Sequence, residues 1–222
     1  MVGMYPRSFT FFVLFFIATT ATAQSPGFRF GPRIGLGSTR FTGVPGMSDG
    51  FAGQLQFVAS KQLTPYFAIQ FCPMTAMYTS QRMMEAHDGT PTGRSMVYTY
   101  RDKYQVYTVE FPLLAKFSKS AGPAFIHVFT GPSFGCPMGG SHTKKFEDEI
   151  YNAKYGFVGH ELDGLRDNFY SGIFGFGVEY PIGNSVIGLD FRLTHAFSPF
   201  GTIEEFNFAA QSATIGFTWV HL

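Results

Sequence analysis

The sequence is poor in charge, in cysteine and in long apolar runs. Only 14% of its 222 residues are Asp, Glu, Lys or Arg, against roughly a quarter in an ordinary soluble domain, so much of its surface does not face water. The charges nearly cancel, at +1, which excludes the basic footprint of a nucleic-acid binder, and no nucleic acid is expected as a partner. Cysteine is confined to Cys72 and Cys136, too few for a disulfide framework. Past the first residues no run of about 18 apolar residues occurs, so no spanning helix is expected there. The six histidines show neither HExxH nor close-paired spacing, which gives a metal site no support, and no cofactor is expected.

What is present is aromatic and small. There are 28 Phe, 11 Tyr and 26 Gly, a composition that favours strands over helices. The chain opens with Arg7 in a short leader, an apolar run from Phe9 to Ala18, and Ala21-Thr22-Ala23 before Gln24. This order reads as a secretory signal peptide over 1–23, followed by a single domain over 24–222 in an exported protein.

From there a period of two recurs. Phe28, Phe30, Ile34 and Leu36 oppose Arg29, Gly31, Arg33 and Gly35; Phe51, Leu55 and Phe57 oppose Gln54 and Gln56; Phe67, Ile69 and Phe71 oppose Ala68, Gln70 and Cys72. Further on, Tyr107, Val109, Phe111, Leu113 and Phe117 oppose Thr108, Glu110, Pro112 and Lys116. Phe174, Phe176 and Val178 oppose Gly175, Gly177 and Glu179, and Ile187, Leu189, Phe191 and Leu193 oppose Asp190, Arg192 and Thr194. Ile215, Phe217 and Trp219 oppose Thr214, Gly216 and Thr218. The run over 124–134 is apolar on both phases, and its Gly131-Pro132 predicts a bend or bulge. Alternation of this kind is the mark of strands, about eight in all.

The connections alternate too. Short turns are expected at 61–64, 118–122 and 181–184, and long polar loops at 38–50, 81–103, 139–168 and 198–208. An even-stranded meander with short turns at one end and long loops at the other is the plan of an outer-membrane barrel. The fold class is therefore all-β: an eight-stranded antiparallel up-and-down transmembrane barrel with periplasmic turns and extracellular loops, a multi-pass protein of the bacterial outer membrane.

In such a barrel the apolar face meets lipid. The bulky face of the readable strands carries no Asp, Glu, Lys or Arg, whereas the small and polar face carries Arg29, Arg33, Glu110, Lys116, Glu179, Asp190 and Arg192. These seven are expected to form a polar network inside a lumen that, for eight strands, side chains just fill. Their ordinary role is structural pairing; a proton, ion or substrate role is the alternative.

Several of these segments resemble a known family. Gly27-Phe28-Arg29-Phe30-Gly31-Pro32-Arg33-Ile34-Gly35, the stretch Val109-Glu110-Phe111-Pro112-Leu113-Leu114-Ala115-Lys116-Phe117, the Thr130-Gly131-Pro132 bend and the glycine-rich hairpin over 171–197 resemble the PorT-like outer-membrane β-barrel domain. The resemblance implies an outer-membrane barrel; the founding member is implied in gliding and a dedicated secretion pathway. The closing Thr214-Ile215-Gly216-Phe217-Thr218-Trp219-Val220-His221 resembles the pattern that the outer-membrane assembly machinery recognises, with His221 where an aromatic or apolar residue is usual.

The resulting expectation is a non-enzymatic scaffold, adhesin or envelope-assembly component. Its partners would be outer-membrane lipid and lipopolysaccharide, the assembly machinery and an envelope protein. Two alternatives stay open. A lipid-modifying enzyme would use His195 with Ser198 and Glu204 or Glu205, and a narrow channel would pass small solutes. In the loops, His142, His160 and Lys144-Lys145-Phe146-Glu147-Asp148-Glu149, and separately Met83-Met84, His87, Asp88 and Arg94, are candidates for contact with lipopolysaccharide, divalent cations or protein. A Cys72–Cys136 bond is not expected, since their strands need not be neighbours.

Overall fold

The computed structural model describes residues 27–89, 95–149, 152–153, 156–203 and 205–221, with the side chains of 86–96 left aside. The segment read as a signal peptide, the side chains of His87, Asp88 and Arg94, and Glu204 lie outside the described residues.

The named strands are β1 (Phe28–Thr42), β2 (Gly50–Thr64), β3 (Phe67–Phe71), β4 (Met74–Gly89), β5 (Ser95–Ala121), β6 (Ala124–Phe146), β7 (Phe157–Glu161), β8 (Phe169–Ile182), β9 (Ser185–Ala196), β10 (Gly201–Ile203) and β11 (Phe206–His221). β3 and β4 are one wall strand, because both keep the same register on β2 and on β5 across the break at Cys72-Pro73. Pro73 has no N–H to give to a ladder. Its carbonyl still accepts from Phe57 N at 3.0 Å, and Cys72 N donates to Pro112 O at 3.0 Å.

With β3 and β4 counted once and the short β7 and β10 set apart, the wall has eight antiparallel strands, and their pairings return on themselves. β1 pairs β2 on one side and β11 on the other; the circuit runs on through β9, β8, β6 and β5 back to the β3–β4 strand and β2. Closure leaves the wall without a sheet edge. At one end the strands join through the tight turns 65–66, 122–123 and 183–184. Gly122 (φ 64°) and Gly183 (φ 58°) supply the positive φ that two-residue hairpins require.

The expected bulge at Gly131-Pro132 is not there. β6 pairs β8 without a break from Phe125 to Gly135, and its register on β5 is the same on both sides of Gly131-Pro132. The irregularity lies instead opposite Tyr107/Thr108, where Met138 is the extra residue. Gly131 has another use: a Cβ there would stand 2.0 Å from Leu113 O.

The long connections also differ from expectation. Much of 81–103 is a hairpin, β4 continuing to Gly89 and β5 beginning at Ser95, and β6 runs to Phe146 with β7 beside it. Thus β4, β5 and β6 rise beyond the rest of the wall, β6 by the stretch from Cys136 to Phe146, roughly 35 Å of chain. Polarity in this stretch marks water on the outer side of a sheet, not the absence of a sheet.

The face that carries the large apolar side chains changes at the rim. In the lower wall the large residues point outward, as Ile34, Leu36, Leu55, Phe111, Leu113, Phe174, Phe176, Leu189, Ile215 and Phe217 do. Above it they point inward. Phe41, Met47, Tyr78, Tyr104, Phe169, Phe200 and Phe208 form a closed apolar cluster across the top of the lumen. Tyr170 and Tyr180 bracket the outward band on β8, ten residues apart, or about 25 Å for a tilted strand.

Candidate functional site: the filled lumen and the raised sheet

The lumen is built from the residues opposite the lipid face. Arg33, on β1, is 1% exposed and binds Asp190 of β9 with two parallel bonds, Nε to Oδ2 at 2.8 Å and Nη2 to Oδ1 at 2.5 Å. The arrangement needs Gly216 on the intervening β11, since a Cβ there would stand 2.1 Å from the guanidinium. Thr218 Oγ1 also donates to Asp190, at 3.4 Å. Gln54 Oε1 accepts from Arg33, Gln56 and Thr214, and Arg192 Nη1 donates to Gln56 Oε1 at 2.8 Å while its guanidinium lies 5.1 Å from the Phe129 ring centre.

Two further groups complete the column. Toward the short-turn end Lys116 pairs with Glu179, and Arg29 reaches the same carboxylate at 3.9 Å. Arg29 alone of the seven is substantially exposed, its side chain at 27%. Toward the rim Glu110, fully buried, accepts from Tyr78 Oη at 2.7 Å and Thr108 Oγ1 at 2.9 Å. The cavity among these side chains is about 30 Å³, room for a couple of waters, and the apolar cluster lies above it. Buried atoms such as Glu110 Oε2, Arg192 Nε, Ser133 Oγ and Ser171 Oγ find no hydrogen-bond partner among the described residues, which is the chemistry of water-holding sites.

Sequence patterning singled out His142 but not Tyr78, His127, or the Arg82 and Asp102 of the cluster that His142 joins. The signal was there for His127: it faces inward between the outward Ile126 and Val128 in the strand whose two phases are both apolar.

Above the rim, Asp102 of β5 gathers Arg82 of β4 (Nη2 to Oδ2, 3.2 Å) and His142 of β6 (Nε2 to Oδ1, 3.0 Å). The His142 ring stacks on Tyr104 at 4.3 Å, and Arg82 Nη2 donates to Tyr104 Oη at 3.2 Å. Burial alone would raise the Asp102 carboxyl, but the hydrogen bond and charge of His142, with the Arg82 guanidinium, hold it below the ordinary carboxylate value. Lys144 places Nζ 4.0 Å from the Tyr100 ring centre, and His160 lies opposite His142 with its ring against Phe157.

Among the described residues of the enzymatic alternative, His195 and Ser198 are each bonded elsewhere. His195 stands on the outer face of β9, bonded through Nδ1 to Gln211 Nε2 at 2.9 Å, and Ser198 Oγ accepts from Tyr170 N at 2.6 Å. Glu205 is exposed in a turn with φ 76°. Cys72 and Cys136 are both free thiols. Among the described residues no three His, Cys, Asp or Glu side chains converge.

A closed eight-stranded wall, apolar outside and ion-paired within, defines the class: a transmembrane β-barrel. The family model described as "outer membrane protein beta-barrel domain" matches residues 18–201, and the chain belongs to that family, whose place is the bacterial outer membrane. No curated protein matches the chain. Among solved structures it is similar to Neisserial surface protein A (10% identity, TM-score 0.47, 86% of this chain and 96% of that one). It is also similar to the attachment invasion locus protein of Yersinia pestis in complex with sucrose octasulfate (12%, 0.34, 87% and 98%) and to the E. coli outer membrane protein W (11%, 0.37, 86% and 96%).

Proposed function

We propose that this is a sealed, non-enzymatic barrel that serves as a surface platform, with the raised β4–β5–β6 sheet as the part that meets an envelope protein. The observation that carries the reading is the sheet itself. It continues past the rim, is held by the Arg82–Asp102–His142 cluster, and presents β4 beyond Gln81 with no strand on its outer side among the described residues. A bare strand edge is a template for a strand from another chain. Beside it Met83 and Glu85 are exposed.

The PorT-like resemblance supports a role in envelope assembly or secretion, and the chain would reach the membrane through its signal peptide and the assembly machinery that reads its last strand. The filled lumen speaks against a channel, and the bonding of His195 to Gln211 and of Ser198 to the Tyr170 amide against the enzyme.

The test is a photo-crosslinking residue at Met83, compared in living cells with one at Tyr66 in a short turn. A discrete adduct from Met83 that also forms from Glu85 supports the reading. A silent Met83 together with single-channel steps in a planar bilayer replaces it with the channel.

A further inference from the structure

A row of polar side chains on the outer wall has no part in the lumen or the raised sheet. Arg40 of β1 lies opposite Gln211 of β11, and Gln211 lies opposite His195 of β9, so three adjacent strands carry their polar residues in one cross-strand line. All three are exposed on the face that bears Leu36, Ile215 and Leu193. On β1 and β11 the row comes directly above the lipid band and just below the level where large residues turn inward, as Phe41 and Phe208 do, while at the end of β9 the outward Phe197, beside Tyr170 of β8, caps it from above. The row therefore lies at the boundary where lipid headgroups begin.

Below it the wall is hollow. Small residues, Ala213 below the row and Gly172 opposite His195, leave a groove of about 650 Å³ with Phe174 and Leu193 at its lower side and Phe197 at its upper side, and the same hollow reaches Arg40 and His195. Gly172 makes the room: a Cβ there would stand 2.8 Å from the Phe197 ring. Arg40 donates from Nε to Met47 O at 3.1 Å, and no carboxylate pairs with its guanidinium among the described residues. Gln211 donates to His195 Nδ1, which places the imidazole N–H on Nε2, without a partner among the described residues. Asp49, at the edge of the hollow, offers an acceptor for hydroxyls.

We infer that this is a binding site for a phosphorylated glycolipid of the outer leaflet, its phosphate on Arg40 and His195 and an acyl chain in the groove below. The charge suits the phosphate, and the step from polar row to apolar groove suits an amphiphile held upright at the boundary. The inference rests on the outer-membrane placement and not on the raised sheet, so crosslinking at Met83 and lipid retention here succeed or fail separately.

The test is native mass spectrometry of the full chain, purified from outer membranes in mild detergent and titrated with diphosphorylated lipid A. One lipid per chain is expected, with binding at least tenfold weaker for Arg40→Glu and for dephosphorylated lipid A, and unchanged for Lys119→Glu at the opposite end. Because Arg40 also steadies the loop at Met47, the pair Gln211→Leu and His195→Leu is a second variant expected to weaken binding likewise. The heat-dependent shift in gel mobility shows that each variant is folded. Equal binding by the folded variants, or equal binding of the dephosphorylated lipid, overturns the site. Full displacement by millimolar inorganic phosphate overturns it as well, since an acyl chain in the groove should resist it.

Discussion

Below its rim the molecule is inside out, and above the rim it is built like a soluble protein. One strand shows both. On β11 Phe217 and Ile215 face outward at 50% and 60% exposure, while Phe208 is fully buried in the upper core. The ion pairs divide in the same way. Arg33–Asp190 sits in a lumen walled off from water, whereas Arg82–Asp102–His142 sits within a sheet that has water around it. The solvent outside each half decides which face can carry aromatic side chains, so the reversal itself marks where the membrane ends.

The largest effect should come from stranding a charge in the lower half. Asp190→Leu leaves Arg33 buried without its bidentate partner and removes a neighbouring acceptor of Thr218. Loss of one member of a buried pair costs about 3–5 kcal/mol, read as a lower urea midpoint for folding in detergent micelles. Arg33→Met combined with Asp190→Leu should recover most of that loss. A double variant as weak as the single one would break the account of the lumen as paired charge.

Next comes a direct test of the rim's position. Phe217→Lys places a charge in the lipid band and should cost about 2–4 kcal/mol. The same change at Phe206, exposed on the same strand above the rim, should stay within about 0.5 kcal/mol. Equal effects at the two sites would mean that the band is drawn too low.

The lower half was legible in the sequence because lipid imposes one rule on every strand. Bulky residues such as Phe174 and Phe176 must alternate with small or polar ones, and the charges Glu179, Asp190 and Arg192 fall on the inner phase. The upper half was not. There Tyr104 and Val106 turn inward while Arg101, Lys103 and Gln105 face outward or sideways, and a sheet wetted outside looks like a polar loop. The tie between Asp102 and His142 could not be read either, because it depends on the register of β5 on β6 across the Met138 bulge.

A smaller and more local effect is expected at Asp102. Its carboxyl lies below the ordinary value in the folded protein. It therefore adds stability that is fully present above the unfolded value, near pH 4, and is lost as pH falls through the folded value. Acidification below about pH 4 should open the raised sheet to proteolysis before the lower wall yields. Asp102→Asn should remove about 1.5–3 kcal/mol of local stability at neutral pH, seen as faster amide exchange in β4 and β5, and should abolish that acid step.

The smallest effect separates the tip of the sheet from its middle. Lys144 covers the faces of Tyr100 and Phe146, whose rings are 5.1 Å apart. A cation over an aromatic ring at a partly exposed site contributes about 0.5–1 kcal/mol, so Lys144→Met, which keeps the apolar stem and removes the charge, should speed exchange of the amides around Tyr100 by no more than about fivefold. The Asp102 cluster sits two residues closer to the membrane on the same strand, and its protection should not change. If exchange there rises equally, the raised sheet opens as one unit, and a partner strand docking along β4 would then stabilise the whole of it and not only the edge it touches.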